Sequence, residues 1–288
     1  MIAIYKRAVQ SYFQSMIGYA FVAFLMLFTG VYFAAYNLMM GHPYFSMALS
    51  ATMFVFLIAV PILTMRSFAE ERKNKTDQLL LTAPVSVTDI VLGKYLAMVS
   101  VFAVPVLFSC AYPLVIYMQG NAYLTTDYAA ILMYFAIGCV YIAIGMFLSS
   151  LTESQIIAAV STFAVLLVLF LWNGILSFLP TEALYNFIAI LAIVLIIAGL
   201  VYYMTRNWLI AGGIGVVGIA VSTVVFLVKK ELFESLLINV LKKWDFTSML
   251  NTIINSNLFN VTSFILCVSM VFLFVFLTVQ TIQKRRWS

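Results

Sequence analysis

Residues 45–75 read FSMALSATMFVFLIAVPILTM followed by RSFAEERKNK. The first part, 45–65, carries no charged residue, and it is long enough to cross a hydrocarbon core of about 30 Å, which takes about 20 helical residues. The second part is dense in Lys, Arg and Glu, which are costly to bury in lipid. This abrupt change predicts a membrane-spanning helix that ends at a polar surface near residue 65.

The composition of the whole chain is also strongly apolar and poor in charged residues. The chain of 288 residues is 65% hydrophobic and 9% charged, with a mean hydropathy of +1.12. Soluble domains carry roughly 25% charged residues. We therefore expect an all-α polytopic membrane protein whose residues 1–288 form a single transmembrane domain, with no space for an additional soluble catalytic domain.

Apolar runs of sufficient length predict about eight spans. They cover residues 19–38, 45–65, 91–117, 127–149, 154–178, 184–204, 209–228 and 261–281. Residues 1–17 predict an interfacial helix that leads into a retained first span. The sequences Ser86-Val87-Thr88-Asp89 and Thr152-Glu153-Ser154-Gln155 match the capping box that begins a helix. The third and fifth spans are therefore predicted to begin on the same side of the membrane.

The distribution of basic residues predicts that both chain ends are cytoplasmic. With this orientation, only Lys229, Lys230, Lys242 and Lys243 fall outside. The cytoplasmic set consists of Lys6, Arg7, Arg66, Arg72, Lys73, Lys75, Lys94, Arg206, Lys284, Arg285 and Arg286. The net charge of +5 is thus explained by topology, and it does not predict a nucleic-acid partner.

Several classes of chemistry lack the residues that they require. No phosphate-binding loop ending in Gly-Lys-Ser/Thr occurs, and His42 is the only histidine. Cys110, Cys139 and Cys267 lie in separate apolar runs without metal-ligand spacing. The interiors of the predicted spans carry no Asp, Glu, Lys or Arg, which disfavours an ion-coupled carrier. We predict no catalytic residue and no metal site in this chain.

The segment 66–90 is the most highly charged part of the chain, yet it also contains Leu79, Leu80 and Leu81. A short helix would have to bury such an apolar patch against the membrane surface or a partner protein. An ordinary solvated loop, held in place by positive charge, is the alternative.

Five stretches resemble the permeases of type-2 ABC exporters, and most of all the gliding-motility (GldF-like) subfamily. They are RSFAEERK (66–73), LLLTAPVS (79–86), IVLGKY (90–95), GMFLSSLTESQ (145–155) and QKRRW (283–287). The resemblance covers most of the chain except the sixth and seventh spans. It implies that the loop after the second span carries a coupling helix, which docks into a cleft of a separate ATPase subunit.

The residues expected to contact the ATPase follow from this resemblance. The main set is Glu70, Glu71, Arg72, Thr76, Leu79, Leu80 and Thr82, and the second set is Ser150, Thr152 and Glu153. The resemblance further implies two ATPase copies, which bind ATP and Mg, and a second permease chain, identical or related. This chain itself would bind no cofactor, and its location would be the bacterial cytoplasmic membrane. An extracytoplasmic accessory protein is left open.

Residues 229–260 are too polar to span, but apolar residues recur there at helical spacing. They are Leu232, Phe233, Leu236, Leu237, Val240, Leu241 and Trp244, followed by Phe246, Met249, Leu250 and Ile253. Two short amphipathic helices in the outer leaflet are predicted, which look like the re-entrant helices before the last span of this class. Residues 184–228 would then form an extra hairpin added to a six-span core.

Aromatic and Met side chains of the first two spans are candidates for an apolar substrate path between two subunits: Tyr32, Phe33, Tyr36, Met53 and Phe56. Packing or contact with lipid is the alternative. Three functions remain open: an export permease driven by a separate ATPase, a mechanotransmission subunit that drives an extracytoplasmic partner without moving cargo, and an intramembrane enzyme.

Overall fold

The computed structural model describes residues 1–76, 85–120, 123–205, 213, 218–220, 223, 236–256 and 258–287. Nearly all of these residues are helical, which confirms the predicted all-α class. The chain divides into two compact units. Unit 1 comprises Met1–Phe170 and Phe246–Ser288, and unit 2 comprises Leu171–Asp245.

The helices that the structure describes are numbered in chain order. Helices α10 to α12 belong to unit 2, and the others to unit 1. Their bounds are α1 (Ile2–Gln14), α2 (Met16–Phe33), α3 (Phe45–Thr52), α4 (Phe56–Thr64), α5 (Ala69–Lys73), α6 (Val87–Ser109), α7 (Tyr112–Gln119), α8 (Leu124–Leu151), α9 (Gln155–Phe170), α10 (Trp172–Ser177), α11 (Ala183–Thr205), α12 (Leu236–Leu241), α13 (Phe246–Ser256) and α14 (Val261–Trp287).

Five helical segments in the described part of the chain are long and apolar enough to cross a membrane. They are Met16–Met39, Phe45–Lys73, Val87–Met118, Leu124–Leu151 and Val261–Arg285. These segments correspond to the first four predicted spans and the last one. In the third, the predicted capping box is confirmed, because the Ser86 hydroxyl accepts a hydrogen bond from the Asp89 N–H at 3.1 Å.

The predicted fifth span, 154–178, is not one continuous helix. Helix α9 ends at Phe170, and Leu171 takes backbone angles of φ −80° and ψ 4° before the short α10 begins. A ψ near 0° breaks the helical hydrogen-bond ladder, so the prediction of a single helix was wrong here. The Thr152 part of the predicted capping box also fails, since its hydroxyl donates to the Ser154 carbonyl at 3.2 Å instead of accepting a backbone N–H.

Helix α8 is the centre of unit 1, packing against α3, α4, α6, α9, α13 and α14. Two glycines allow this close approach. A Cβ at Gly138 would overlap the Phe102 ring of α6, and a Cβ at Gly145 would overlap Thr64 of α4. Beside them, the ring of Phe56 lies 4.7 Å from that of Tyr134 and 5.5 Å from that of Phe102, centroid to centroid. The core of unit 1 is therefore a tightly packed aromatic cluster around α8.

The apolar repeat of the predicted amphipathic segment is found on α13. Phe246, Met249, Leu250 and Ile253 are all buried, and α13 packs against α8 and α3. On its polar side, the Ser50 hydroxyl donates to Asn251 Oδ1 at 2.9 Å. The apolar face of this helix thus covers the protein core, whereas its depth in the outer leaflet stays a prediction.

Unit 2 contains part of the predicted extra hairpin, 184–228. The Trp172 indole N–H donates to the Leu241 carbonyl at 2.8 Å, which ties α10 to the end of α12. A Cβ at Gly218 would lie 2.5 Å from Val194 Cγ1, so Gly218 is in close contact with α11. Most of residues 206–235 lie outside the described residues, and the hairpin as a whole stays a prediction.

Candidate coupling site

The short helix α5 follows the second span and is held at its start by a side chain from α8. The first N–H groups of a helix need partners, and Phe68, at the N-cap position of α5, has no polar side chain. The fully buried Ser149 hydroxyl accepts from the N–H groups of Phe68 at 3.3 Å and Ala69 at 3.2 Å. It also donates to the Met65 carbonyl at 3.2 Å. Ser149 therefore caps α5 and joins it to the end of α8.

A second anchor comes from Lys94 in α6. Only 7% of this residue is exposed. Its Nζ forms an ion pair with Glu71, donates to the Ser67 carbonyl at 2.5 Å, and lies 4.3 Å from the centre of the Phe68 ring. A buried ammonium group is tolerated only with such partners. Lys94 thus holds both the turn before α5 and the middle of α5 against α6.

The predicted contact residue Arg72 also points into the protein. It is 8% exposed, and its Nη1 donates to the Thr152 carbonyl at 3.2 Å. Arg72 therefore links α5 to the connection between α8 and α9. Glu70 lies 3.8 Å from Arg66 Nε, and both of these side chains are 39% exposed, so that pair contributes little to stability.

The end of α5 is closed by a Schellman motif. Lys75 has φ +56°, a left-handed conformation that usually requires glycine. The Thr76 N–H donates to the Glu71 carbonyl at 2.9 Å, and the Lys75 N–H donates to the Arg72 carbonyl at 3.0 Å. The motif leaves Lys73, Asn74, Lys75 and Thr76 exposed at the surface.

The second predicted contact set lies beside α5. Ser150 is fully buried, and its hydroxyl donates to the Phe147 carbonyl at 2.7 Å. Thr152 is half-buried, and Glu153 is exposed. The structure therefore brings together the two stretches that the sequence places far apart. Leu79, Leu80 and Thr82 lie outside the described residues.

The ten predicted contact residues thus differ in accessibility. Arg72 is buried and holds the segment in place, Ser150 is buried within α8, and Thr76 and Glu153 are exposed to a partner. Sequence reasoning did not select Ser149 or Lys94 as site residues, although both lie within stretches that carry the family resemblance. A signal for Lys94 was present, because it is a single charge near the start of an apolar run.

Helix α1 packs against α6 and lies close to the same site. The Tyr12 hydroxyl donates to the Leu63 carbonyl at 3.2 Å, and the Tyr5 and Ser100 hydroxyls are 2.8 Å apart. Burial and the nearby carboxylates of Glu71 and Glu70 hold the pKa of Tyr12 above its ordinary value. Tyr12 therefore keeps its proton and remains a hydrogen-bond donor to the end of the second span.

The five side chains considered for a substrate path are not equivalent. Phe33, Met53 and Phe56 are buried within unit 1. The Phe33 ring, for example, lies 4.5 Å from that of Tyr112. Tyr32 and Tyr36 are half-buried, with ring centroids 6.3 Å apart. The three buried side chains pack the core, and the two tyrosines are the more accessible members of the set.

These features define a multi-pass α-helical membrane protein in which a charged loop helix is clamped between the ends of its spans. The family model described as ABC-2 family transporter protein matches residues 2–229, and the chain belongs to this family. It is therefore a permease component of an ABC transporter, a class of membrane transport subunit that pairs with an ABC ATPase subunit. The comparisons with curated proteins and with solved structures give no match. The matched range includes α1, α5 and the end of α8, and so contains the whole candidate site.

Proposed function

We propose that this permease couples ATP hydrolysis by a separate ATPase subunit to export of a substrate across the bacterial cytoplasmic membrane. Two ATPase subunits, carrying the ATP and Mg, would act on a pair of permease chains whose ends are cytoplasmic. The subfamily would be the gliding-motility (GldF-like) one, as the stretches 66–73 and 145–155 suggest. The observation that carries the proposal is the clamped position of α5.

A helix that receives force from a partner must be fixed to the elements that it moves. Helix α5 is fixed to α8 through Ser149 and to α6 through Lys94. The Arg72 bond to the Thr152 carbonyl adds a link to the start of α9. These contacts are buried, where hydrogen bonds and ion pairs are most costly to break. Such an arrangement supports transmission of a displacement of α5 to α6, α8 and the start of α9 together.

The same segment offers a polar surface for a partner. The exposed residues Lys73, Asn74, Lys75, Thr76 and Glu153 carry charge of both signs and hydrogen-bonding groups. Exposed polar residues of this kind form the rim of many protein interfaces. We therefore assign the docking contacts to these exposed residues, with the buried Arg72 supporting the backbone that carries them.

Co-purification with an ABC ATPase tests the docking assignment. Glu153→Lys combined with Thr76→Arg alters two exposed residues of the site and leaves the buried anchors in place. We expect about tenfold less ATPase to co-purify with this variant, because Glu153→Lys reverses a charge at the assigned interface and lost charge complementarity weakens association. Lys284→Glu, an exposed charge reversal near the end of α14, is the matched control. Equal recovery of the ATPase with the wild type, the double variant and Lys284→Glu would contradict the assignment.

Reconstitution into proteoliposomes separates export from mechanotransmission. Export predicts ATP-driven movement of cargo by the permease and its ATPase alone. If turnover instead requires an extracytoplasmic partner and no tested cargo moves, the export form of the proposal is overturned. Activity of the isolated chain on a lipid or peptide would favour the intramembrane enzyme.

A further inference from the structure

A cavity of about 300 Å³ lies between α1 and the segment that contains α5 and the turn before it, and the acidic residues Glu70 and Glu71 are part of its lining. Its lining includes Arg7, Ser11 and Ser15 from the α1 side, and Arg66, Ser67 and Lys94 from the other side. The volume is at the lower limit of small-ligand pockets, which span roughly 300–1,000 Å³. It therefore suits a small polar group better than a bulky hydrophobic molecule.

Two donor atoms of residues that line this cavity lack a hydrogen-bond partner among the described residues. They are Arg66 Nε and the hydroxyl of Ser67, a residue that is only 7% exposed. Arg66 Nε is 3.8 Å from Glu70, which is too long for a hydrogen bond. Buried polar atoms are rarely left unsatisfied. Both atoms can donate, so an acceptor, and most favourably an anion, would satisfy them.

The charges around the cavity also favour an anion. Glu71 is neutralised by Lys94, and Glu70 lies beside Arg66. Arg7 has no carboxylate within ion-pair distance in the described part of the chain, so it supplies the excess positive charge. A guanidinium group binds phosphate through paired hydrogen bonds.

The position of the cavity indicates where such an anion would come from. Ser15 and Ile17 line it at the junction where α1 ends and the first span begins. Helix α1 is amphipathic, with its Lys and Arg side chains exposed. Helices of this kind lie at the level of lipid headgroups. The cavity is thus placed where headgroup phosphates are abundant.

We propose that this cavity binds a phosphate group, the chemistry shared by anionic phospholipid headgroups and free phosphate, with Arg7, Arg66 and Ser67 as its donors. Binding would connect α1 to the turn before α5, because Arg7 lies on the former and Ser67 on the latter. The inference does not depend on the coupling role, since binding is measured on the permease chain alone.

Native mass spectrometry of the purified full-length chain tests this site. The probes are short-chain phosphatidylglycerol, the diacylglycerol with the same acyl chains, and inorganic phosphate. We expect saturable binding of phosphatidylglycerol and none of diacylglycerol. Arg7→Gln and Ser67→Ala should each weaken binding about tenfold, as expected for loss of a charge-assisted hydrogen bond. Lys6→Gln, an exposed neighbour outside the cavity, is the matched control and should bind normally.

The two sources of phosphate are distinguished by competition. If inorganic phosphate displaces phosphatidylglycerol at equal concentration, the site takes free phosphate; if it does not, the site takes the lipid. Both results support the site. The site would be overturned if diacylglycerol bound as well as phosphatidylglycerol. It would also be overturned if Arg7→Gln and Lys6→Gln weakened phosphatidylglycerol binding equally, or if neither phosphate probe bound. Because Arg7 is exposed, Arg7→Gln should fold normally, which thermal unfolding checks.

Discussion

Lys94 of α6, whose side chain is 9% exposed, forms an ion pair with Glu71 of α5, whose side chain is 28% exposed, and the same ammonium group donates to the Ser67 carbonyl. One side chain therefore fixes the short helix and the turn that leads into it. Removing one partner of a buried pair leaves the other charge uncompensated, which is far more costly than losing an exposed pair.

Lys94→Met should lower the free energy of unfolding by about 1–3 kcal/mol, because the Ser67 carbonyl and the partly exposed Glu71 lose their cation. Thermal unfolding in detergent measures the effect. The double variant Lys94→Met with Glu71→Leu removes both charges and should be more stable than Lys94→Met alone. A double variant as unstable as the sum of the two single ones would show that the pair is not coupled.

Ser149→Ala should destabilise the protein by about 1–2 kcal/mol, since two N–H groups at the start of α5 lose their acceptor. Ser150→Ala is the natural control, because among the described residues the hydroxyl of Ser150 bonds only to the Phe147 carbonyl within α8. We expect a smaller loss for the control. ATPase turnover of the assembled transporter should fall in Ser149→Ala and remain near normal in Ser150→Ala. Larger losses of stability and turnover in Ser150→Ala than in Ser149→Ala would contradict the capping role of Ser149.

Lys75→Gly should stabilise the protein by about 1 kcal/mol, because glycine adopts the left-handed conformation of this position without steric cost. Lys75→Val should cost about 1–2 kcal/mol for the opposite reason. Lys73→Gly provides the matched control, since Lys73 is helical and glycine weakens a helix. A higher unfolding temperature for Lys75→Val than for Lys75→Gly would rule out the Schellman turn.

Tyr12→Phe should cost about 1 kcal/mol at neutral pH through loss of the bond to the Leu63 carbonyl. The Tyr12 pKa is raised in the folded state, so the folded chain keeps a proton that the unfolded chain releases above pH of about 10. The stabilising effect of Tyr12 is therefore complete below that pH and declines above it. The difference in the free energy of unfolding between the wild-type chain and Tyr12→Phe should therefore be smaller at alkaline pH than at neutral pH. A constant difference would contradict a raised pKa.

The local pattern of the chain predicted five spans that the structure confirms, the first four and the last, because burial in lipid imposes a minimum length on every apolar helix. The same reasoning predicted the Ser86 cap and the apolar face of α13, on which Phe246 and Leu250 are buried. It did not predict the end of α9 at Phe170. The apolar run continues past this residue, and composition alone does not report a change in one backbone angle.

The candidate site was predicted less completely. The charged segment and the stretch at Ser150 were selected, but only the structure shows that Arg72 reaches the Thr152 carbonyl. Sequence reasoning treated Arg72 as a contact for a partner, since charged residues of a polar loop are usually exposed. Its burial follows from packing between segments that are distant in sequence, which no local pattern contains.

The sequence by itself determined that this chain is a bundle of membrane helices with a highly charged segment after the second span. Hydrophobic length and charge density are local properties, and they are sufficient for that conclusion. Only the tertiary structure decided that Ser149 caps α5, that Lys94 holds it, and that a cavity lined by Arg7 and Ser67 opens beside it. Each of these features depends on distances between helices, because a hydrogen bond or an ion pair forms only when distant segments are brought within a few ångströms.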